Sequence, residues 1–122
     1  FLGKKPVETL PAYINSYDVC INPQMVNDIT DGNYPLKIDE YLAMGKPTVA
    51  TSTHTMRNIF ADHTHLATNP EEWLSAIDRA VTEADDKKLA KQRIAFAETH
   101  SWGHSVKKIY DIIDNFLKEK AT

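Results

Sequence analysis

Lys37 and Glu40 stand three residues apart, directly behind a loop that holds Asp31, Gly32 and Asn33. If residues from Pro35 onward form a helix, Leu36, Lys37 and Glu40 share roughly one face. The N-terminus of such a helix offers unpaired backbone N–H groups and a partial positive charge. Gly32 has no side chain to keep a phosphate away from the backbone. Lys37, one turn in, could add charge to a bound anion, and the Glu40 carboxylate suits hydrogen bonds from sugar hydroxyls. The same residues also fit a plain capped helix with a solvated Lys and Glu, and spacing alone does not choose between the two.

The elements that must position these residues lie in the stretch 18–51. An apolar run over 18–22 has the character of a strand and stops at Pro23. The polar loop follows, then a helix from near Pro35 to Gly45, then a second apolar run over 47–50. Strand, loop, helix, strand is the βαβ unit of a parallel sheet. Ligands of such sheets sit beyond the carboxyl ends of the strands, where loops lead into helix N-termini.

The flanking chain extends this pattern. Phe1, Leu2 and Gly3 read as the tail of a strand, and Lys4 to Pro6 as a turn. Thr9 is placed to cap a helix with Pro11 in its first turn and Leu10, Tyr13 and Ile14 on its apolar face. Beyond the central unit, Ser52 or Thr53 would cap a short helix through Met56, Ile59 and Phe60, and residues 63–67 make a weak strand. Asn69 caps the next helix, with Pro70 at its first position, Glu71 and Glu72 complementing the dipole, and a core stripe of Trp73, Leu74, Ile77 and Val81. Another helix follows Asp85 and Asp86 and runs to about His100. Ser101 caps a last helix with Val106, Ile109, Tyr110, Ile113 and Phe116 on one face. The expected fold is α/β, a doubly wound parallel sheet with a helical C-terminal tail, in one domain over residues 1–122. Three or four strands are few for that architecture, so the chain reads as part of a larger domain whose open sheet edge would invite pairing with another chain or a dimer.

Composition excludes little. The chain has 122 residues, 42% hydrophobic and 25% charged, within the range of ordinary globular domains. A net charge of −3 gives no general reason to expect a nucleic-acid partner. No apolar run reaches the roughly 18 residues of a membrane span. The single cysteine, Cys20, lies in an apolar run and reads as a small buried hydrophobe. His100 and His104 have zinc-like spacing, but His100 would precede the helix, and no metal site is expected. His63 and His65 read as a partly exposed structural pair and Trp102 as a packing residue. Lys4 and Lys5 follow the first glycine and read as a polar turn, with a place facing the ligand cleft as the other reading.

Four segments occur in order: FLG, LPAYINSYDVCINP, YPLKIDEYLAMGKPTVAT and SW. Together they resemble the C-terminal, donor-binding domain of GT-B-fold retaining glycosyltransferases of the group 1, family-4-like set. The resemblance implies a Rossmann-like fold and transfer of a sugar from a nucleoside diphosphate sugar to an acceptor hydroxyl, with anomeric configuration kept. It implies that Glu40 binds the ribose and that Gly32, Asn33, Tyr34, Pro35 and Leu36 surround the diphosphate and sugar through backbone N–H groups. Many members carry a glutamate eight residues before the ribose-binding one; here that position is Gly32, so Asp31 or Asn33 substitutes or sugar recognition differs. The family's basic residues and acceptor domain lie upstream, so an N-terminal domain in cis is implied and no catalytic residue is assigned within the chain. No cofactor or metal is implied beyond the donor substrate. The acceptor would be a glycan, a lipid-linked sugar or a small molecule, in polysaccharide synthesis in the cytoplasm or at the inner face of the membrane. A nucleotide-sugar epimerase of the same fold and a non-catalytic α/β interaction module are the alternatives.

Overall fold

The computed structural model describes residues 2–121. Three parallel strands, β1 (Cys20–Asn22), β2 (Thr48–Thr51) and β3 (His65–Ala67), form one sheet in the order β1-β2-β3. Cys20 is in register with Thr48, and Val49 with His65. Helix α1 (Leu10–Asn15) precedes β1, and α2 (Leu36–Ala43) joins β1 to β2. A short π-helical turn (Met56–Phe60) leads to β3, and α3 (Pro70–Thr82), α4 (Lys87–Glu98) and α5 (Trp102–Ala121) complete the chain. This is the doubly wound α/β pattern in partial form.

β2 is the central strand and is buried along its whole length, as a parallel strand covered on both faces must be. Its successive residues face opposite layers. Ala50 joins Ile38, Leu42, Met56, Phe60 and Ala97 on the α2 and α4 side, while Val49 joins Ala67, Ala76 and Ala80 on the α3 side. Ile38 and Leu42, four apart on α2, are fully buried and anchor that helix to the sheet.

α2 ends in a Schellman motif. The Gly45 N–H donates to Leu42 O at 2.8 Å and the Lys46 N–H to Tyr41 O at 3.1 Å. Gly45 has φ +74°, and a Cβ there would lie 3.1 Å from the Ala90 Cβ on α4. The position therefore needs glycine both for its left-handed backbone and for the close approach of α4.

Several sequence expectations change here. Leu2 and Gly3 form no strand, since no neighbouring strand pairs with them, and residues 4–6 carry no assigned turn; Phe1 lies outside the described residues. β1 starts at Cys20, two residues after Asp18. On α3 the buried stripe is Trp73, Ala76, Ile77 and Ala80, whereas Leu74 and Val81 are exposed. The helix lies so close to the sheet that alanines occupy the contact, and the larger residues flank it. Ile59 is likewise more exposed than Met56 and Phe60, because the wider π turn rotates it outward. On α5 no residue is buried, and Trp102 is 88% exposed instead of packed. The helix projects from the sheet layers, so its apolar face meets no core.

Candidate functional site

The loop that leads from β1 to α2 is built by its own hydrogen bonds. Asn27 Oδ1 accepts from the N–H groups of Ile29 and Thr30, both at 2.9 Å. The Thr30 hydroxyl donates to Met25 O, and the Asn33 N–H to Thr30 O. At its start the loop is tied to the sheet by Gln24 N–H, which donates to Thr51 Oγ1 at 2.8 Å. At its end Asp31 ties it to the next crossover. Asp31 Oδ1 accepts from His54 N–H at 2.8 Å and its carbonyl from Thr55 N–H at 3.2 Å. The Asp31 side chain is thus committed to the start of the 54–60 turn.

Residues beyond Asp31 are open. Gly32 has no neighbour within 4 Å of where a Cβ would stand. Asn33, Tyr34 and Leu36 are exposed and Pro35 is half-buried. Pro35 occupies the N-cap of α2, and no side chain caps the helix. The Ile38 N–H turns back to Pro35 O at 3.0 Å. Among the described residues nothing accepts from the N–H groups of Leu36 and Lys37, which leaves the positive end of the helix to solvent or to an anion.

Lys37 and Glu40 line one cavity of about 770 Å³, between the N-terminal segment, α1, β1 and α2. Lys5 also lines it, with its ammonium 5.8 Å from the centre of the Tyr13 ring. Glu40 is exposed. From the sequence Lys5 is placed in a polar turn first and facing the ligand cleft second; here it lines the same cavity as Lys37 and Glu40. Apolar side chains, Leu10, Ile14 and Ile21 among them, make up much of the remaining wall. Of the eight predicted residues, Lys37 and Glu40 come together in this cavity. Gly32, Asn33, Tyr34, Pro35 and Leu36 stand at the start of α2 outside it, and Asp31 faces the following turn.

One cluster near the site was not read from the sequence. The Tyr34 hydroxyl donates to Asp39 Oδ2, and Asp39 Oδ1 accepts from His100 Nδ1 at 2.7 Å. Burial, then the hydrogen bond to Asp39 and its charge, hold the Tyr34 phenol well above its ordinary range. Tyr34 and Asp39 flank the start of one helix, which is a readable spacing. His100 is sixty-one residues from Asp39, and nothing local links them. Cys20 is buried at 5% exposure, and burial pushes its thiol up while Lys46 partly offsets this. Among the described residues no group of three or more His, Cys, Asp or Glu side chains is arranged to hold a metal ion.

The sequence profile of the family Glycosyl transferases group 1 matches residues 1–83, which include the loop, the whole of α2 and the cavity wall. The chain belongs to that family. It is also similar to TuaH of Bacillus subtilis (strain 168), whose name assigns it to teichuronic acid biosynthesis as a glycosyltransferase. The two are 26% identical over 103 residues, which is 82% of this chain and 26% of TuaH. The chain thus spans about a quarter of the length of the curated relative it matches. No solved structure matches it. Among the described residues no helix is long and apolar enough to cross a membrane.

Proposed function

We propose that this chain is the donor-sugar half-site of a retaining glycosyltransferase acting in polysaccharide synthesis. The single observation that carries the reading is that Lys37 and Glu40 open onto one cavity beside the uncapped start of α2, within a segment matched by the glycosyltransferase family. The nucleoside would occupy the cavity, its ribose hydroxyls donating to Glu40. The diphosphate would lie over the N–H groups of Leu36 and Lys37, where the helix dipole and the Lys37 ammonium favour negative charge. Gly32 and Asn33 would border the sugar. With Asp31 committed to His54, Asn33 is the better candidate of the two for contacting sugar hydroxyls.

In the whole protein the sugar would pass to an acceptor hydroxyl. The bond from the anomeric carbon to the diphosphate oxygen breaks, the bond to the acceptor oxygen forms on the same face, and the acceptor proton leaves with the diphosphate. Stabilising the departing charge by oriented N–H groups and cations is the main service this segment would give. Acceptor binding would belong to another domain, and the isolated chain is expected to bind donor without turning it over.

Saturation-transfer NMR with UDP, GDP, ADP and CDP, each alone and as its glucose ester, tests the reading. One base should give strong ribose signals that disappear in Glu40→Ala. Absence of signal from every nucleotide would overturn it.

A further inference from the structure

We infer that Asp39 and His100 are positioning residues for the anion-binding end of α2, acting through a hydrogen-bonded staple to Tyr34. The inference rests on the donor reading above and names how that site is held.

A helix entry is commonly fixed by a capping side chain, which consumes the first N–H groups. A second device is the hydrophobic staple, a contact between the residue before the cap and the fourth helical residue, which fixes the entry angle of the chain. Here the cap is Pro35, so the staple positions are Tyr34 and Asp39. Their contact is a hydrogen bond from the phenol to the carboxylate in place of an apolar touch. The bond fixes the entry while using none of the helix's own N–H groups, so those of Leu36 and Lys37 stay available.

Asp39 needs a second partner to keep one rotamer, and His100 supplies it at 2.7 Å. A carboxylate only accepts, so Nδ1 of His100 carries the proton. His100 is itself wedged by aromatic rings, with centroids 5.5 Å from Phe60 and 4.6 Å from Phe96. Phe60 is fully buried, and its ring also lies 5.7 Å from that of Tyr34. Contacts therefore run without a gap from the α2-side core, through His100 and Asp39, to the residue beside the loop. A plain solvated aspartate would show none of this order.

His100→Asn keeps a donor near the Nδ1 position, His100→Leu keeps bulk without a donor, and Tyr34→Phe removes only the hydroxyl. The backbone amide signals of Leu36 and Lys37 in the free protein report the entry directly, and a UDP titration followed by NMR reports its use. His100→Leu and Tyr34→Phe are expected to shift or broaden both amide signals and to weaken UDP about tenfold, as loss of a hydrogen bond to a charged group does. His100→Asn should restore both. Unchanged amide signals in His100→Leu and Tyr34→Phe would overturn the inference, as would an asparagine variant as impaired as the leucine one. If the unaltered chain bound no UDP or other nucleoside diphosphate, the donor reading would fall, and the amide comparison in the free protein would still decide the staple.

Discussion

Arg93 is 5% exposed, and its guanidinium donates to Glu83 Oε2 at 2.6 Å and to Gly45 O at 3.2 Å. Glu83 Oε1 meets His65 Nε2 at 3.0 Å, so one carboxylate joins α4, the end of α3 and β3. Arg93→Met would leave Glu83 with a single partner and the Gly45 carbonyl with none from this side chain. Breaking a buried pair costs about 3–5 kcal/mol, and the partial exposure of Glu83 places this one near the lower end, about 3 kcal/mol. A fall in the urea midpoint at constant slope measures it, and an unchanged midpoint would contradict it. Gly45→Ala is expected to cost about 1–2 kcal/mol, from the left-handed backbone and the 3.1 Å approach to Ala90. Neither residue was marked by its sequence neighbours beyond the helix-ending glycine itself. Lys37 and Glu40 were legible because their chemistry is local to one helix, whereas the meeting of Asp39 with His100 spans sixty-one residues and has no local signal.

Elements with complete local signals came through as read. α3 starts where Asn69, Pro70, Glu71 and Glu72 said it would, and Asn69 Oδ1 accepts from Glu72 N–H at 2.9 Å. Glu72 in turn accepts from the N–H of Thr68, the residue before the cap, at 2.7 Å, so its carboxylate ties the incoming chain to the first turn. Asn69→Ala should therefore cost about 1 kcal/mol, seen as a lower urea midpoint. What periodicity did not supply was which stripe of α3 meets the sheet, because close approach favours Ala76 and Ala80 over the larger Leu74 and Val81. α5 shows the opposite limit. Its pattern of Val106, Ile109, Tyr110, Ile113 and Phe116 is a good apolar face, yet every one of these residues is exposed. Amphipathic spacing predicts a helix and not what covers it. A chain ending after Ser101 should lose helical signal in circular dichroism but keep its melting temperature within about 2 °C, since the helix contributes no buried residue. A fall of about 10 °C or more would show that α5 supports the sheet layers.

At the scale of the molecule, the thiol and two phenols set the alkaline limit. Cys20 is raised from its ordinary 9.0, chiefly by burial, and Tyr34 and Tyr41 are raised from 10.0, again chiefly by burial. The unfolded chain therefore loses these protons at lower pH than the folded one. Stability from these groups is fully present below about pH 9, falls as pH rises past that point, and is lost as the folded groups themselves ionise. Urea midpoints between pH 8 and 11 should decline, and a rise would contradict the assignment. The same whole-molecule view explains why family membership was readable and substrate identity was not. A βαβ unit with its motif fits inside a quarter-length match, whereas recognition of base, sugar and acceptor depends on surfaces that converge from distant segments. The most direct test of the donor site is a two-by-two comparison of the unaltered chain and Glu40→Ala against the bound nucleoside diphosphate and its 2′,3′-dideoxy form. Loss of the ribose hydroxyls should weaken the unaltered chain about tenfold and leave Glu40→Ala nearly unaffected. An equal penalty in both proteins would contradict a contact between Glu40 and the ribose.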